Sequence, residues 1–149
     1  KAGMHVVICI GNNERTEAGA YLKYIEQQIK ESLKGVSRTL VKNVIIAYEP
    51  VWAIGKGKKA MDPHSIHQMV LFIKKVLIGM YGKKTGTDTP IIYGGSSNES
   101  NAAAIVSEGE VDGLLPGRAS LDPVEFADIA GEAPPASDRP VAHLPDPPS

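Results

Sequence analysis

The chain carries four short, continuously apolar runs separated by longer segments of mixed polarity. They occupy residues 6–10, 44–47, 90–93 and 113–115, and none of them alternates polar with apolar positions. Runs rich in Val and Ile without alternation are typical of strands buried on both faces, as in parallel sheets. The pattern therefore predicts four buried strands.

Helical periodicity fills the segments between and after these runs. In two stretches apolar residues recur at steps of three and four, which gives each stretch one apolar face. Asp62 and Pro63 are suited to begin the second helix as its N-cap and first residue. Shorter helices are predicted over residues 101–107, ending at Gly109, and from Asp122 to about residue 130. The two apolar faces consist of Ala18, Leu22, Ile25, Ile29 and Leu33, and of Ile66, Met69, Val70, Ile73 and Leu77.

The order βαβαβαβα predicts an α/β fold, because parallel strands need crossover connections and helices supply them. Two architectures remain open, a doubly wound sheet and part of a (β/α)₈ barrel. A complete barrel needs eight strands and about 250 residues, so four βα units are half of one. The segment 132–149 is dense in Pro and poor in apolar residues. We therefore predict a folded domain over residues 1–131 and a disordered tail over residues 132–149.

Composition excludes some functions without specifying one. The chain of 149 residues is 42% hydrophobic and has a formal net charge of -1, which is the profile of a globular domain with no electrostatic reason to bind nucleic acid or an anionic membrane. No apolar run reaches the length of a membrane span. The single cysteine, Cys9, cannot form an internal disulfide, which fits a reducing compartment.

Glu49 stands out because it lies at the carboxyl end of the second predicted strand. Catalytic groups of barrels lie at the carboxyl ends of strands, and a rigid strand end positions a carboxylate well. Residues 50–60 then combine a stiff entry, Pro50 and Trp52, with a Gly-bearing tip, which is typical of a lid that excludes water. The residues alone leave a second interpretation open, an exposed Glu before an ordinary βα loop.

Two nucleotide-binding motifs overlap the tip of this segment, and both fail on context. Residues 55–60 match G-x-G-x-x-G/A, but the strand ends too early, the helix starts too late, and no acid lies about twenty residues on. A P-loop needs Ser or Thr where Lys59 stands and Gly where Trp52 stands. We therefore predict neither a dinucleotide site nor a P-loop.

Glycines mark the ends of the third and fourth predicted strands, in Tyr-Gly-Gly-Ser-Ser at 93–97 and Pro-Gly-Arg-Ala-Ser at 116–120. Such glycines let backbone N–H groups approach an anion, and barrel phosphate sites are often built from the loops after the last two strands. Each motif alone would equally make a tight turn. Together with Gly55 they predict a phosphate site, and the guanidinium of Arg118 is compatible with phosphate there.

The remaining candidate groups predict no metal centre. His64 and His67 lie three apart on the second predicted helix, but no third ligand is in register, so we place them on a solvated helix face. Cys9 ends a buried strand and is predicted to be an inert core thiol.

These motifs resemble the triosephosphate isomerase family from about residue 6 to residue 129. The sequence Ala-Tyr-Glu-Pro-Val-Trp-Ala-Ile-Gly at 47–55 is highly specific to that family. Cys-Ile-Gly on the first strand, Tyr-Gly-Gly-Ser on the third, and Val-Asp-Gly-Leu-Leu with Ala-Ser-Leu on the fourth follow in the family's order. The resemblance implies strands five to eight of a (β/α)₈ TIM barrel, so the chain would be a C-terminal half-barrel.

The resemblance also implies a role for each matching residue. Glu49 would be the general base that moves a proton between two carbons of a triose phosphate. The N–H groups of Gly55, Ser96 and Gly117 would bind the phosphate, and residues 50–60 would form the lid. Closure of that lid would be latched by hydrogen bonds from Tyr93 to the Ala60 backbone and from Ser96 to Gly57.

Several positions depart from the family pattern. Asn12 stands where Glu is usual and would accept an uncharged hydrogen bond from the Trp52 indole. Arg118 replaces a second Gly near the phosphate, and Pro116 removes one backbone donor at the end of the last strand. The Pro-rich tail has no family counterpart.

The family interconverts dihydroxyacetone phosphate and D-glyceraldehyde 3-phosphate in glycolysis and gluconeogenesis, without a cofactor or metal, and its members are usually cytoplasmic homodimers. Its catalytic Lys and neutral catalytic His come from the first half of the barrel, which this sequence does not supply. We therefore expect a fragment of an isomerase that binds triose phosphate, has little or no activity alone, and would be a homodimer only at full length. The rival hypothesis is an inactive half-barrel that binds a phosphate or a partner chain.

Overall fold

The computed structural model describes residues 3–13, 19–55 and 57–133. This part of the chain contains four strands, β1 (Val6–Ile10), β2 (Val44–Tyr48), β3 (Ile91–Tyr93) and β4 (Gly113–Leu114). It also contains the helices α1 (Ala20–Ser32), α2 (Pro63–Tyr81), α3 (Lys83–Asp88), α4 (Glu99–Ser107) and α5 (Pro123–Glu132). Short 3₁₀ turns cover Val41–Asn43, Val51–Ala53 and Arg118–Leu121.

The four strands form one parallel sheet in the order β1-β2-β3-β4. Hydrogen bonds continue past the strands at their carboxyl ends, where Glu49 N donates to Ile10 O at 2.7 Å and Gly94 N donates to Tyr48 O at 2.8 Å. The next pair follows the same pattern, with Leu115 N donating to Tyr93 O at 2.8 Å. The predicted fold class is confirmed: the protein is α/β, and its sheet and helices are consistent with a half-barrel of βα units.

Three of the described helices, α2, α4 and α5, begin at residues whose side chains cap them. Asp62 Oδ1 accepts from Ser65 N at 2.9 Å, and Pro63 is the first residue of α2, as predicted. Helix α4 starts two residues earlier than predicted, because Asn98 and Asn101 form a reciprocal capping box. Its end at residue 107 was predicted correctly.

The core lies between the sheet and its covering helices. Ile25 and Ile29 of α1 are fully buried, as are Ile73 and Leu77 of α2. All five apolar positions predicted for the second helix are buried, whereas Ala18, predicted for the first, lies outside the described residues. Removal of this apolar area from water is the main stabilising contribution, about 25 cal/mol per Å².

Helix α3 was not predicted, because its sequence has no apolar stripe. It packs tightly on α2: a Cβ added to Gly86 would lie 2.4 Å from the backbone nitrogen of Ile78. The ammonium of Lys74 donates to the carbonyls of Thr87 and Thr89, at 2.6 and 2.5 Å, and so satisfies groups at the end of α3. Burial lowers the pKa of Lys74, and the charges of Asp112 and Asp88 oppose that shift.

Strand β1 differs from the prediction of a strand buried on both faces. Val6 and Val7 are each 45% exposed, and only Ile10 is fully buried. The reason is position, since β1 is an edge strand and no element in the described part of the chain pairs with its outer side.

The predicted tail lies outside the described residues from position 134 onward. Within the part of the chain that the structure describes, no helix is long and apolar enough to cross a membrane.

Candidate active site

Glu49 is held at the carboxyl end of β2 by close backbone packing on both sides. A Cβ at Gly11 would lie 1.8 Å from the Glu49 carbonyl oxygen, so only glycine fits beside it after β1. On the other side a Cβ at Gly94 would lie 2.6 Å from Glu49 Cγ and 3.2 Å from Oε1. The carboxyl group of Glu49 therefore rests directly against the glycine that follows β3.

Cys9 is not the inert core thiol that the sequence predicted. It is exposed, because it lies on the edge strand β1, and its thiol lies near the carboxylate of Glu49. Partial burial, followed by the neighbouring carboxylate of Glu49, raises the pKa of Cys9 above its ordinary value. The thiol is thus protonated at neutral pH.

The segment 50–60 follows β2, and a 3₁₀ turn lies near its start. Val51 N donates to Asn12 O at 3.1 Å, which ties the turn Val51–Ala53 to the end of β1. Gly55 and Gly57 at the tip have φ values of 115° and 76°, which only glycine adopts without strain. Lys56, part of the predicted lid, lies outside the described residues.

Two side chains at the carboxyl end of β3, those of Tyr93 and Ser96, bind the ends of this segment, but not in the predicted pairing. Tyr93 Oη accepts from Met61 N at 3.0 Å, one residue beyond the predicted partner Ala60. Ser96 contacts Ala53 at the opposite end of the segment rather than Gly57, with N and Oγ both donating to Ala53 O at 3.1 and 2.8 Å. Ala53 is the last residue of the 3₁₀ turn, and its carbonyl accepts both bonds.

A cleft of about 130 Å³ opens beside Glu49 at the carboxyl ends of β3 and β4. The four predicted phosphate-binding residues, which come from three separate segments, all line it. Gly94 also lines the cleft, so Glu49 adjoins it through that glycine. Among the other residues that line the cleft, sequence reasoning missed two with polar side chains, Ser97 and Glu125. The four predicted residues are Gly55, Ser96, Gly117 and Arg118.

The predicted contact between Asn12 and Trp52 is absent. Asn12 is buried, and its Oδ1 accepts from Tyr48 Oη at 3.1 Å. The indole Nε1 of Trp52 is buried without a hydrogen-bond partner among the described residues. Tyr48, and not Trp52, therefore donates to the amide oxygen of Asn12.

The two histidines of α2 have different surroundings. His64 is exposed, as predicted, and its Nε2 lies 3.2 Å from Gln68 Nε2. His67 is half-buried, with Nδ1 3.6 Å from Glu110 Oε2, so the predicted solvated position is wrong for this residue. Among the described residues, no group of three or more His, Cys, Asp or Glu side chains is arranged to hold a metal ion.

A larger cleft of about 620 Å³ lies at the other end of the sheet, before β2 and β3. Arg38, Lys42 and Lys84 line it, and its carboxylate, Asp88, is paired with Lys84 at 3.1 Å. Size alone would favour this cleft. It lacks the strand-end carboxylate and the converging glycines of the smaller one, so we place the candidate active site at Glu49.

Parallel βα units with a carboxylate and a glycine-lined cleft at the carboxyl ends of their strands define a barrel-type α/β protein. A family model described as triosephosphate isomerase matches residues 1–133. The chain therefore belongs to the triosephosphate isomerase family.

Individual relatives agree with this assignment. The triosephosphate isomerase of Citrifermentans bemidjiense is 41% identical over 130 residues, which are 87% of this chain and 51% of the relative. That of Dehalococcoides mccartyi is 39% identical over 134 residues, 89% of this chain and 52% of the relative. The protein of the same name from Mycoplasma pneumoniae is 37% identical over 130 residues, 87% of this chain and 51% of the relative. The chain spans about half the length of the relatives it matches.

Proposed function

We propose that this chain is the C-terminal half of a triosephosphate isomerase, strands five to eight of the barrel. Its reaction would interconvert dihydroxyacetone phosphate and D-glyceraldehyde 3-phosphate. The observation that carries the proposal is the contact between Glu49 and Gly94, which sets a carboxylate beside a cleft lined by the four phosphate-binding candidates. A triose phosphate bound there would present its carbons to Glu49.

In the proposed reaction Glu49 is the general base. Its carboxylate removes a proton from the carbon next to the carbonyl, which leaves an enediolate, and the resulting carboxylic acid returns the proton to the neighbouring carbon. The thiol of Cys9 lies near the same carboxylate. A positioned general base contributes roughly 10²–10⁴ in rate.

The phosphate would be bound by backbone N–H groups and one guanidinium. Gly55, Gly117 and Arg118 approach the cleft from the lid and from the turn after β4. The N–H of Ser96 donates to Ala53 O in this structure. Phosphate binding at Ser96 therefore requires the carbonyl of Ala53 to move, which couples ligand binding to movement of the lid segment.

Proton transfer is only part of the proposed reaction. Triosephosphate isomerase is itself a standard example in which a Glu base works with a neutral His that polarises the carbonyl. Stabilisation of the developing enediolate is usually the larger contribution. In our proposal that group belongs to the other half of the barrel, so this chain alone has little or no isomerase activity and the assembled protein is the cytoplasmic, homodimeric enzyme.

Complementation tests the proposal. The full chain would be mixed or co-expressed with the part of the Citrifermentans bemidjiense enzyme that it does not match, and isomerase turnover measured. We expect activity only in the mixture, and a loss of about 10²-fold or more in Glu49→Gln. Glu31→Gln, a change on the exposed end of α1, is the matched control. Turnover by the chain alone, or an active Glu49→Gln mixture, would contradict the proposal.

The alternative is a half-barrel without catalysis that binds a phosphate or a partner chain. The exposed valines of β1 favour a partner, since an apolar edge strand invites pairing. The same mixtures distinguish the two functions. A complex that forms and binds phosphate but never turns over substrate would support the alternative.

A further inference from the structure

Ser97, the second serine after β3, has no role in the site described so far. It lines the same cleft as Ser96, yet its Oγ is screened from solvent and hydrogen-bonds to no residue that the structure describes. Buried hydroxyls are nearly always hydrogen-bonded, because an unpaired one costs free energy. An unpaired hydroxyl beside a binding cleft indicates a partner that the described chain does not provide.

The neighbouring polar groups are already engaged, which singles out Ser97. Ser96 directs both its N–H and its hydroxyl to Ala53 O. Asn98 Oδ1 accepts from Ser100 N at 3.0 Å and from Asn101 N at 3.1 Å, where it caps α4. Of the two serines, only Ser97 keeps a hydroxyl that can turn to a ligand without breaking a contact seen in the structure.

The electrostatic setting of Ser97 is mixed. It lies immediately before Asn98, the N-cap of the nine-residue helix α4, and a helix N-terminus carries partial positive charge. The guanidinium of Arg118 lines the same cleft, and the carboxylate of Glu125 opposes an anion there. A neutral donor is suited to this position because it stabilises a phosphate oxygen without adding another charge.

We propose that Ser97 is a phosphate-binding residue of this cleft, and that its hydroxyl turns to donate a hydrogen bond to the bound phosphate. The inference rests on the proposed function, because it takes the cleft to be the phosphate site. Serine changes between staggered χ1 positions at little cost, and its hydroxyl hydrogen rotates freely. Phosphate supplies the acceptor that Ser97 lacks among the described residues, so binding removes the cost of the unpaired hydroxyl.

If Ser97 binds phosphate, its replacement should change the phosphate affinity without lowering the melting temperature. In Ser97→Ala the unpaired hydroxyl is gone, so the melting temperature should stay the same or rise. Phosphate affinity should nevertheless fall about tenfold, which corresponds to one hydrogen bond to a charged group. A purely structural serine would show the reverse, a lower melting temperature with little change in affinity.

The experiment uses the full chain with inorganic phosphate and dihydroxyacetone phosphate as probes, with affinity measured by calorimetry and stability by thermal unfolding. Ser97→Thr retains the hydroxyl and should bind close to the parent's affinity. Ser107→Ala is the matched control, because that hydroxyl donates to Ala103 O at the exposed far end of α4. It should leave phosphate affinity unchanged.

Three outcomes would overturn the inference. If Ser97→Ala binds phosphate like the parent while Arg118→Ala binds it weakly, the cleft is the phosphate site but Ser97 takes no part. If Ser97→Ala melts at a lower temperature and keeps its affinity, the residue is structural. If the parent chain binds neither probe, the phosphate cleft of the proposed function fails together with the role of Ser97.

Discussion

The side chain of Glu49 lies so close to Gly94 that no other residue fits at position 94 without moving it. A Cβ at that position would be 2.6 Å from Glu49 Cγ. Gly94 therefore defines one wall of the space that the carboxylate occupies. The glycine after β3 fixes where the proposed base points, in addition to lining the cleft.

Gly94→Ala should consequently displace the carboxylate while the fold is kept. Misplacing a catalytic group by about 1 Å can cost on the order of 10²-fold in rate. We expect a loss of that size in isomerase turnover of the complemented protein.

Gly79→Ala serves as the control for this substitution. A Cβ at Gly79, inside α2, meets nothing within 4 Å, and alanine is the better helix former. It should leave turnover unchanged and stabilise the chain by about 0.5–1 kcal/mol. If Gly94→Ala keeps full activity, the geometry of Glu49 is not set by this contact.

The reactivity of Cys9 reports on Glu49 without any need for turnover. Because the thiol is the only cysteine in the chain, the rate of its alkylation by iodoacetamide measures the thiolate fraction at one site. Its pKa is raised above 9.0, so the rate should be low at neutral pH and rise only in the alkaline range.

Glu49→Gln removes the negative charge but keeps the shape of the side chain. The pKa of Cys9 should fall, the rate profile should move to lower pH, and alkylation at neutral pH should become faster. Glu31→Gln should not shift the profile. An unchanged profile in Glu49→Gln would show that the thiol does not sense this carboxylate.

Arg118 and Glu125 should act in opposite directions on phosphate affinity, because both line the cleft and carry opposite charges. Calorimetry in low salt should show weaker binding in Arg118→Ala and tighter binding in Glu125→Gln. Both effects should shrink as salt is added, since exposed charges are screened. Equal affinities in all three proteins would place the phosphate elsewhere.

Tyr93→Phe tests the anchoring of the lid segment. It removes the acceptor of Met61 N and leaves a buried N–H unpaired, so the free energy of unfolding should fall by about 1–3 kcal/mol. Tyr24→Phe, on an exposed tyrosine, should change it little. Urea denaturation of the two variants gives the comparison, and equal values would contradict this assignment.

The same tyrosine should make stability depend on pH in the alkaline range. Burial raises the pKa of Tyr93 above 10.0, and the hydrogen bond from Met61 opposes that shift in part. The unfolded chain then loses its phenolic proton at lower pH than the folded one. The contribution of Tyr93 to the free energy of unfolding is therefore fully present below pH 10.0 and is lost as the pH rises above it. Tyr93→Phe should make this fall smaller. Part of the fall should remain, because burial also raises the pKa of Tyr81.

The fold was accessible from the sequence because each strand is a continuous apolar run and each long helix has one apolar face. The parallel order of strands then brought Glu49 and the glycines of β3 and β4 to one edge of the sheet. Helix α3 was not predicted because tertiary contacts, rather than an apolar stripe in its sequence, stabilise it. Gly86 lets it approach α2, and Lys74 satisfies its last carbonyls.

The finer contacts of the site depended on local geometry that no sequence pattern encodes. Ser96 bonds to Ala53, the last residue of the 3₁₀ turn after Pro50, and Cys9 is exposed on the edge strand β1. Ser97 carried a weak signal, as a second hydroxyl directly after Ser96. Its meaning became visible only when the buried oxygen was found without a partner among the described residues.

Because the valines of β1 are exposed, the stability of this chain depends on whether another polypeptide pairs with that edge. Any polypeptide that pairs with that edge only in the folded form raises the folded population by mass action, by about 2.7 kcal/mol at a hundredfold excess over its dissociation constant. Folding and assembly are then linked equilibria. The melting temperature of the chain alone is therefore the lowest of a range of values, and it rises as the concentration of the partner increases.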